Sequence, residues 1–197
     1  LALLDQESAA PSAQAINGVV VGDYSYFENT GVMSTGQNIR NLTMVHVDNA
    51  HKSVENEASF VNKGEMILRA GNTSEGNGRN AAVRVSAGSA VNEGEIQLTG
   101  TNAVGLYAVE AGAYVENKGT IVVGTQGVDY TPNYGIWLEN GTSGVNSGRI
   151  ELAGNGAIGV HARSGAHVVM EGGEEAGIDF NSSAQYQIGY LIYGQDA

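Results

Sequence analysis

Cysteine is absent from this chain, and proline nearly so, with two in 197 residues. Without cysteine there is neither a disulfide framework nor a thiolate zinc site. The absence also suits a chain that crosses an oxidising compartment unfolded. Basic residues are scarce: nine Lys and Arg stand against 21 Asp and Glu, for a formal net charge of −12. Nucleic acid is gripped by a basic stripe, so this balance speaks against it as a partner, and against docking on anionic lipid headgroups. A charge of this size favours solubility and weak self-adhesion. No apolar run approaches the ~20 residues that a transmembrane helix needs. The opening Leu1-Ala2-Leu3-Leu4 is too short for a secretory leader and has no basic flank. No segment of about ten residues carries a helical period with caps. What the chain does have is glycine, 29 residues of it, and it is placed in phase.

The phase is set by a template, Asn-x-Gly-x-Φ-x-Φ-x-Gly, with Φ apolar. The fullest copy begins at Asn92 and reads Asn92-Glu93-Gly94-Glu95-Ile96-Gln97-Leu98-Thr99-Gly100. Near copies begin at Asn62, Asn117 and Asn146; a worn one begins at Asn29, and a decayed one replaces the asparagine with Met170. These positions step by 33, 30, 25, 29 and 24 residues. A second template, Gly-Φ-x-Φ-x-x-Gly, alternates with the first. Its clearest copies are Gly135-Ile136-Trp137-Leu138-Glu139-Asn140-Gly141 and Gly159-Val160-His161-Ala162-Arg163-Ser164-Gly165. Self-similarity at this period marks a solenoid, propeller or array.

Both templates alternate with period two, which is the pattern of half-buried β-strands. Their runs are short and punctuated by Gly, Asn and Ser, residues that supply turns. Two or three strands of three to five residues per turn of about 24–30 make a parallel β-helix, each coil stacked ~4.8 Å above the last. The expected fold is therefore all-β: a single-stranded right-handed parallel β-helix of about six coils over residues 17–197. Residues 1–16 fit no repeat and read as a lead-in or cap. The right hand follows from the chirality of parallel crossovers. The asparagines at 29, 62, 92, 117 and 146 are expected to form an amide ladder at one corner, where Asn tolerates the left-handed conformation. Departures from the period mark insertions at residues 71–80, 125–134 and 172–177. The apolar end Tyr190-Leu191-Ile192-Tyr193 calls for a cap or more chain, so a piece of a longer protein is expected.

Stacking converts sequence positions into columns. One outward column reads Val20, His46, Arg84, Tyr107, Trp137, His161, Leu191. Flat rings on neighbouring coils suit carbohydrate or an extended peptide; the competing reading is stacking that only stabilises neighbouring strands. Arg84, Tyr107, Trp137 and His161 are the candidate contact wall, and Asp129, Tyr130 and Tyr134 the candidate binding loop. A second column, Lys63, Glu93, Lys118 and Ser147, suggests ion pairs between adjacent coils, each worth ~0–1 kcal/mol at a surface. Catalysis has poor material. Glu65 and Glu95 would be neighbours, but with no Asp cluster or cationic group beside them. The four histidines show no ligand spacing, so no metal and no cofactor is expected; Asp129, Glu174 and Glu175 could at most hold Ca²⁺ loosely.

The alternation of Asn-x-Gly-x-Ile-x-Φ-x-Gly with Asn-Ala-x-Gly-Φ-x-Φ, as in Asn102-Ala103-Val104-Gly105-Leu106-Tyr107, resembles the passenger domains of Gram-negative autotransporters, the large adhesin type above all. The resemblance covers roughly residues 17–194. It implies export through the inner membrane, secretion through an outer-membrane β-barrel not contained in this chain, and display at the cell surface or release. The Gly-Asp-Ser-Gly nucleophile motif of the protease members does not occur here. The expectation is a non-enzymatic adhesin or virulence passenger that binds a host glycan, a matrix or surface protein, or a sister chain. The alternatives are a rigid stalk that presents another domain and, as a minor reading, a polysaccharide-cleaving β-helix.

Overall fold

The computed structural model describes residues 16–37, 39–49, 57–71, 79–127, 132–173 and 176–194. Within them the chain is a right-handed parallel β-helix with three walls and no helix. The first wall contains seven strands: β1 (Ile16–Val21), β4 (Leu42–Asp48), β7 (Asn80–Ala87), β10 (Ala103–Ala108), β13 (Tyr134–Leu138), β16 (Ile158–Arg163) and β19 (Ile188–Tyr193). The second is β2 (Tyr26–Asn29), β5 (Ser59–Asn62), β8 (Ser89–Asn92), β11 (Tyr114–Asn117), β14 (Ser143–Asn146) and β17 (His167–Met170). The third is β3 (Val32–Ser34), β6 (Glu65–Leu68), β9 (Glu95–Leu98), β12 (Thr120–Val123), β15 (Arg149–Leu152) and β18 (Gly177–Phe180). Two walls thus complete five windings, slightly fewer than the six coils expected.

Every copy of the first template lies over the next in register. Asn29, Asn62, Asn92, Asn117, Asn146 and Met170 are successive partners. So are Met66, Ile96, Ile121, Ile150 and Ile178 on the third wall. The inward side chains, Ile96 and Ile150 among them, belong to one continuous core. Parallel sheets expose a face unless something covers it; here the three walls cover one another. Strand β1 starts at Ile16, one residue before the expected boundary; the rest of the lead-in lies outside the described residues.

The corner between the second and third walls carries the ladder. Asn29 Nδ2 donates to Asn62 Oδ1 at 2.7 Å, Asn62 to Asn92 at 2.8 Å, Asn92 to Asn117 at 2.8 Å, and Asn117 to Asn146 at 2.7 Å. The four upper members are fully buried. Met170, with no amide, ends the series. One part of the expectation is corrected. The ladder asparagines close extended strands and none has a positive φ. The left-handed positions lie elsewhere, chiefly in the Asn140-Gly141 and Ser164-Gly165 turns between the first and second walls, where φ is 53°, 73°, 56° and 76°. The ladder needs asparagine for its paired donor and acceptor inside the core, not for backbone latitude. The following glycines answer a different constraint. A Cβ on Gly94 would fall 2.1 Å from the carbonyl oxygen of Gly64, and one on Gly119 2.0 Å from that of Gly94. Successive coils meet there backbone to backbone.

The ion pairs also differ from expectation. Lys63 pairs with Glu28 at 2.9 Å, on the coil below, and Lys118 with Glu116 at 3.5 Å, on its own coil. Arg149 bridges Glu151 (3.1 Å) and Asp179 (2.5 Å). Lys63 and Lys118 thus each reach a carboxylate on the second wall, beside the corner, instead of Glu93 in their own column.

Strict alternation fails on the first wall. A Cβ at Gly105 or Gly135 would meet core methyls, Ile121 Cγ2 at 3.2 Å and Ile150 Cγ2 at 3.1 Å. The next residues, Leu106 and Ile136, also lie in the core. Two consecutive inward positions push Val104, Tyr134 and Ile158 to the outside. There they join Trp137 in a second apolar cluster, separate from the core, with Tyr107 and Leu191 packed against it.

Candidate functional site

The outer face of the first wall holds the column expected from the sequence. Val20 pairs with His46, His46 with Arg84, Arg84 with Tyr107, Tyr107 with Trp137, Trp137 with His161, and His161 with Leu191. The structure therefore brings Arg84, Tyr107, Trp137 and His161 together on adjacent strands, and adds Tyr134 from the candidate loop. Asp129 and Tyr130 lie outside the described residues.

The wall is not the open aromatic surface that the sequence suggests. Trp137 is 2% exposed and His161 5%. The indole is boxed in by Tyr134 (centroids 4.3 Å apart), His161 (4.0 Å) and Tyr107 (6.0 Å), all edge-on. The Arg79 guanidinium lies 3.5 Å from the indole centroid and 5.1 Å from that of Tyr134. Edge-to-face rings and cation–π stacking satisfy the ring quadrupoles, so the faces that a sugar ring would stack on are already in use. The physical reason is the local break in alternation, which sets the Val104–Tyr134–Ile158 column beside the aromatic one.

Glu139 is the polar hub of the cluster. Its side chain is 9% exposed and forms an ion pair with Arg163. Its Oε1 accepts from Trp137 Nε1 at 2.9 Å and its Oε2 from the Tyr107 hydroxyl at 3.1 Å. A buried carboxylate persists only where donors compensate its lost hydration, and these three do. Burial, and then the neighbouring Glu139 charge, push the Tyr107 phenol up to about 12. Burial, with Arg163 and Arg79 nearby, pushes His161 down to about 4. Neither ring nitrogen of His161 has a hydrogen-bond partner among the described residues. Four strands along the same wall, His46 Nε2 lies 2.9 Å from Ser86 Oγ, and burial together with Arg84 lowers its pKa.

The neutral His161 makes stability depend on pH. An unfolded chain protonates this imidazole near 6.5, the folded one only near 4. Between these values the unfolded state binds more protons, so stability falls as pH drops from about 6.5 to about 4 and then levels off for this group. His46 acts in the same direction. The expected result is that His161→Phe gains in melting temperature relative to the parent on going from pH 7 to pH 5. An unchanged difference between the two proteins at both pH values would refute the assignment.

Three residues central to this cluster escaped the sequence reading. Glu139 and Arg163 occupy the next outward positions after Trp137 and His161, so reading the column one step further would have found them. Arg79 sits at the end of an insertion, and no periodicity placed it. The buried Asn80 and Asn133 were also missed. They accept from the backbone N–H of Leu42 and Ala103, at 3.0 and 2.8 Å, where the chain enters this wall.

Elsewhere, Glu65 and Glu95 are in register, and Gln97 Nε2 donates to both at 2.9 Å. Both carboxylates are thereby engaged as acceptors. Among the described residues no group of three or more His, Asp or Glu side chains is arranged to hold a metal ion; Asp129, Glu174 and Glu175 lie outside them. No protein-family model, no curated protein and no solved structure matches this chain.

Proposed function

We propose that this chain is a β-helical segment of a Gram-negative autotransporter-type passenger, displayed at the cell surface, that works as a non-enzymatic adhesin. Its contacts to host glycan, matrix protein or sister chains are made by the first wall and the insertions beside it. One observation carries this reading: that wall bears a second apolar cluster outside the core, with arginines laid over its rings. A spacer needs only the core and the ladder. The repeat pattern's resemblance to adhesin passengers supports the same reading, as does the −12 charge, which resists non-specific clumping. The stalk alternative has its own support, because burial of Trp137 and His161 inside the cluster is what stiffening alone would produce.

The test is direct. The full chain, immobilised and shown by circular dichroism to be folded, is presented to an array of glycans and matrix proteins and to itself. Saturable binding to at least one class is expected. A folded chain that binds nothing would leave the stalk reading in place.

A further inference from the structure

We infer that Arg79, Arg84 and Arg163, propped on the aromatic cluster of the first wall, form a site for an acidic glycan carrying sulfate or carboxylate groups. This rests on the adhesive reading above and names its ligand class. The ring faces are unavailable for stacking on a neutral sugar, since Arg79 covers Trp137 and the remaining contacts are edge-on. What the wall turns outward is guanidinium. Arg163 is exposed; Arg79 and Arg84 are half-buried. Three of the chain's nine basic residues gather here, in a molecule with 21 acidic ones.

Their partners are incomplete. Arg163 shares Glu139 with two other donors. Arg79 lies over Tyr134 and Trp137 and reaches Asn102 Oδ1 only at 3.5 Å. Arg84 lies over Tyr107 at 5.7 Å, and its Nε is buried without a hydrogen-bond partner. Among the described residues no carboxylate lies within salt-bridge distance of Arg79 or Arg84. Near Arg163 and Arg79, His161 is nine-tenths buried with both ring nitrogens unpartnered.

A guanidinium seated over a ring is orientated by it, and its terminal N–H groups match a carboxylate or sulfate with paired hydrogen bonds. Arg84 on β7 and Arg163 on β16 are three strands apart, ~14 Å at strand spacing. That span suits a short acidic oligosaccharide laid across the coils. An acidic protein repels a long polyanion or an extended anionic surface more strongly than a short chain with few charges, which favours a short acidic oligosaccharide.

The test uses the whole chain at low salt with four probes: a sulfated glycosaminoglycan oligosaccharide, a neutral oligosaccharide of equal length, a single-stranded DNA oligomer, and phosphatidylserine-containing vesicles. Binding to the sulfated probe alone is expected, weakening as salt rises. The Arg79→Gln/Arg84→Gln double variant should lose at least about tenfold in affinity, since charge-assisted hydrogen bonds are the contacts removed. Single Arg84→Gln, which leaves the Trp137 box untouched, guards against misfolding of the pair and should weaken binding severalfold. Absence of binding to the sulfated probe overturns the assignment, as does equal binding of DNA or vesicles, or full affinity in the folded variants. Array binding to a neutral glycan or a matrix protein that survives both substitutions would retain the adhesin reading and remove only the acidic ligand.

Discussion

Asn117→Ala is expected to lower the unfolding free energy by about 3–5 kcal/mol, summing lost buried hydrogen bonds and one stranded acceptor. Asn117 Oδ1 accepts from Asn92 at 2.8 Å, and Nδ2 donates to Asn146 Oδ1 at 2.7 Å and to the Arg149 carbonyl at 3.2 Å. The site is completely buried, so water cannot replace the amide. Asn92 Nδ2 keeps weaker contacts at 3.3 Å to the carbonyls of Gly94 and Thr120, but Asn146 Oδ1 loses its ladder donor. Asn29 donates to Asn62 and accepts from no ladder neighbour below it among the described residues, so Asn29→Ala should cost clearly less. Urea unfolding reads both as shifts in midpoint. A loss under about 1 kcal/mol at position 117, or equal losses at both sites, would show that the ladder does not act as a continuous chain of bonds.

Gly119→Ala is expected to destabilise by about 3 kcal/mol or more, at or beyond the upper end of ordinary overpacking. The added methyl would meet the Gly94 oxygen at 2.0 Å and the Glu93 carbonyl carbon at 2.8 Å. Both are main-chain atoms, so no rotamer change relieves the clash. Separating the coils would stretch the bonds from Gly119 N to Asn92 O and from Thr120 N to Gly94 O, both 2.9 Å. Gly31 occupies the same place in the first template copy, and a Cβ there would meet nothing within 4 Å. Gly31→Ala should therefore stay within about 0.5 kcal/mol of the parent. Equal costs at the two positions would mean that coil contact is not what selects glycine at this corner.

Much of this architecture can be read from one template. The positions of Asn62, Asn92, Asn117 and Asn146 already contain the register, because a column of identical side chains forms only if each coil lies squarely on the last. The aromatic column from Tyr107 to His161 was legible for the same reason. Its exposure was not. Period two assigns each residue to a face on the assumption that the strand is straight. At Gly105 and Gly135 two neighbours both turn inward, which no composition or spacing announces, since the glycines look like ordinary turn residues. Arg79 was out of reach because it lies at the end of an insertion, where the repeat loses count. The ion pairs of Lys63 and Lys118 were misassigned because a long flexible side chain is free to choose among several nearby carboxylates.

By itself, then, the sequence determined the winding: short strands stacked coil on coil, a core of Ile, Leu and Val, an amide ladder at one corner and glycines after it. These follow from side-chain period and donor–acceptor count, which are properties of the chain alone. Only the tertiary structure decided which outward residues meet solvent. Tyr134, Trp137 and Glu139 from one coil, His161 and Arg163 from the next and Arg79 from just before β7 close over one another, so burial on that wall is a property of the assembled surface and of no single strand.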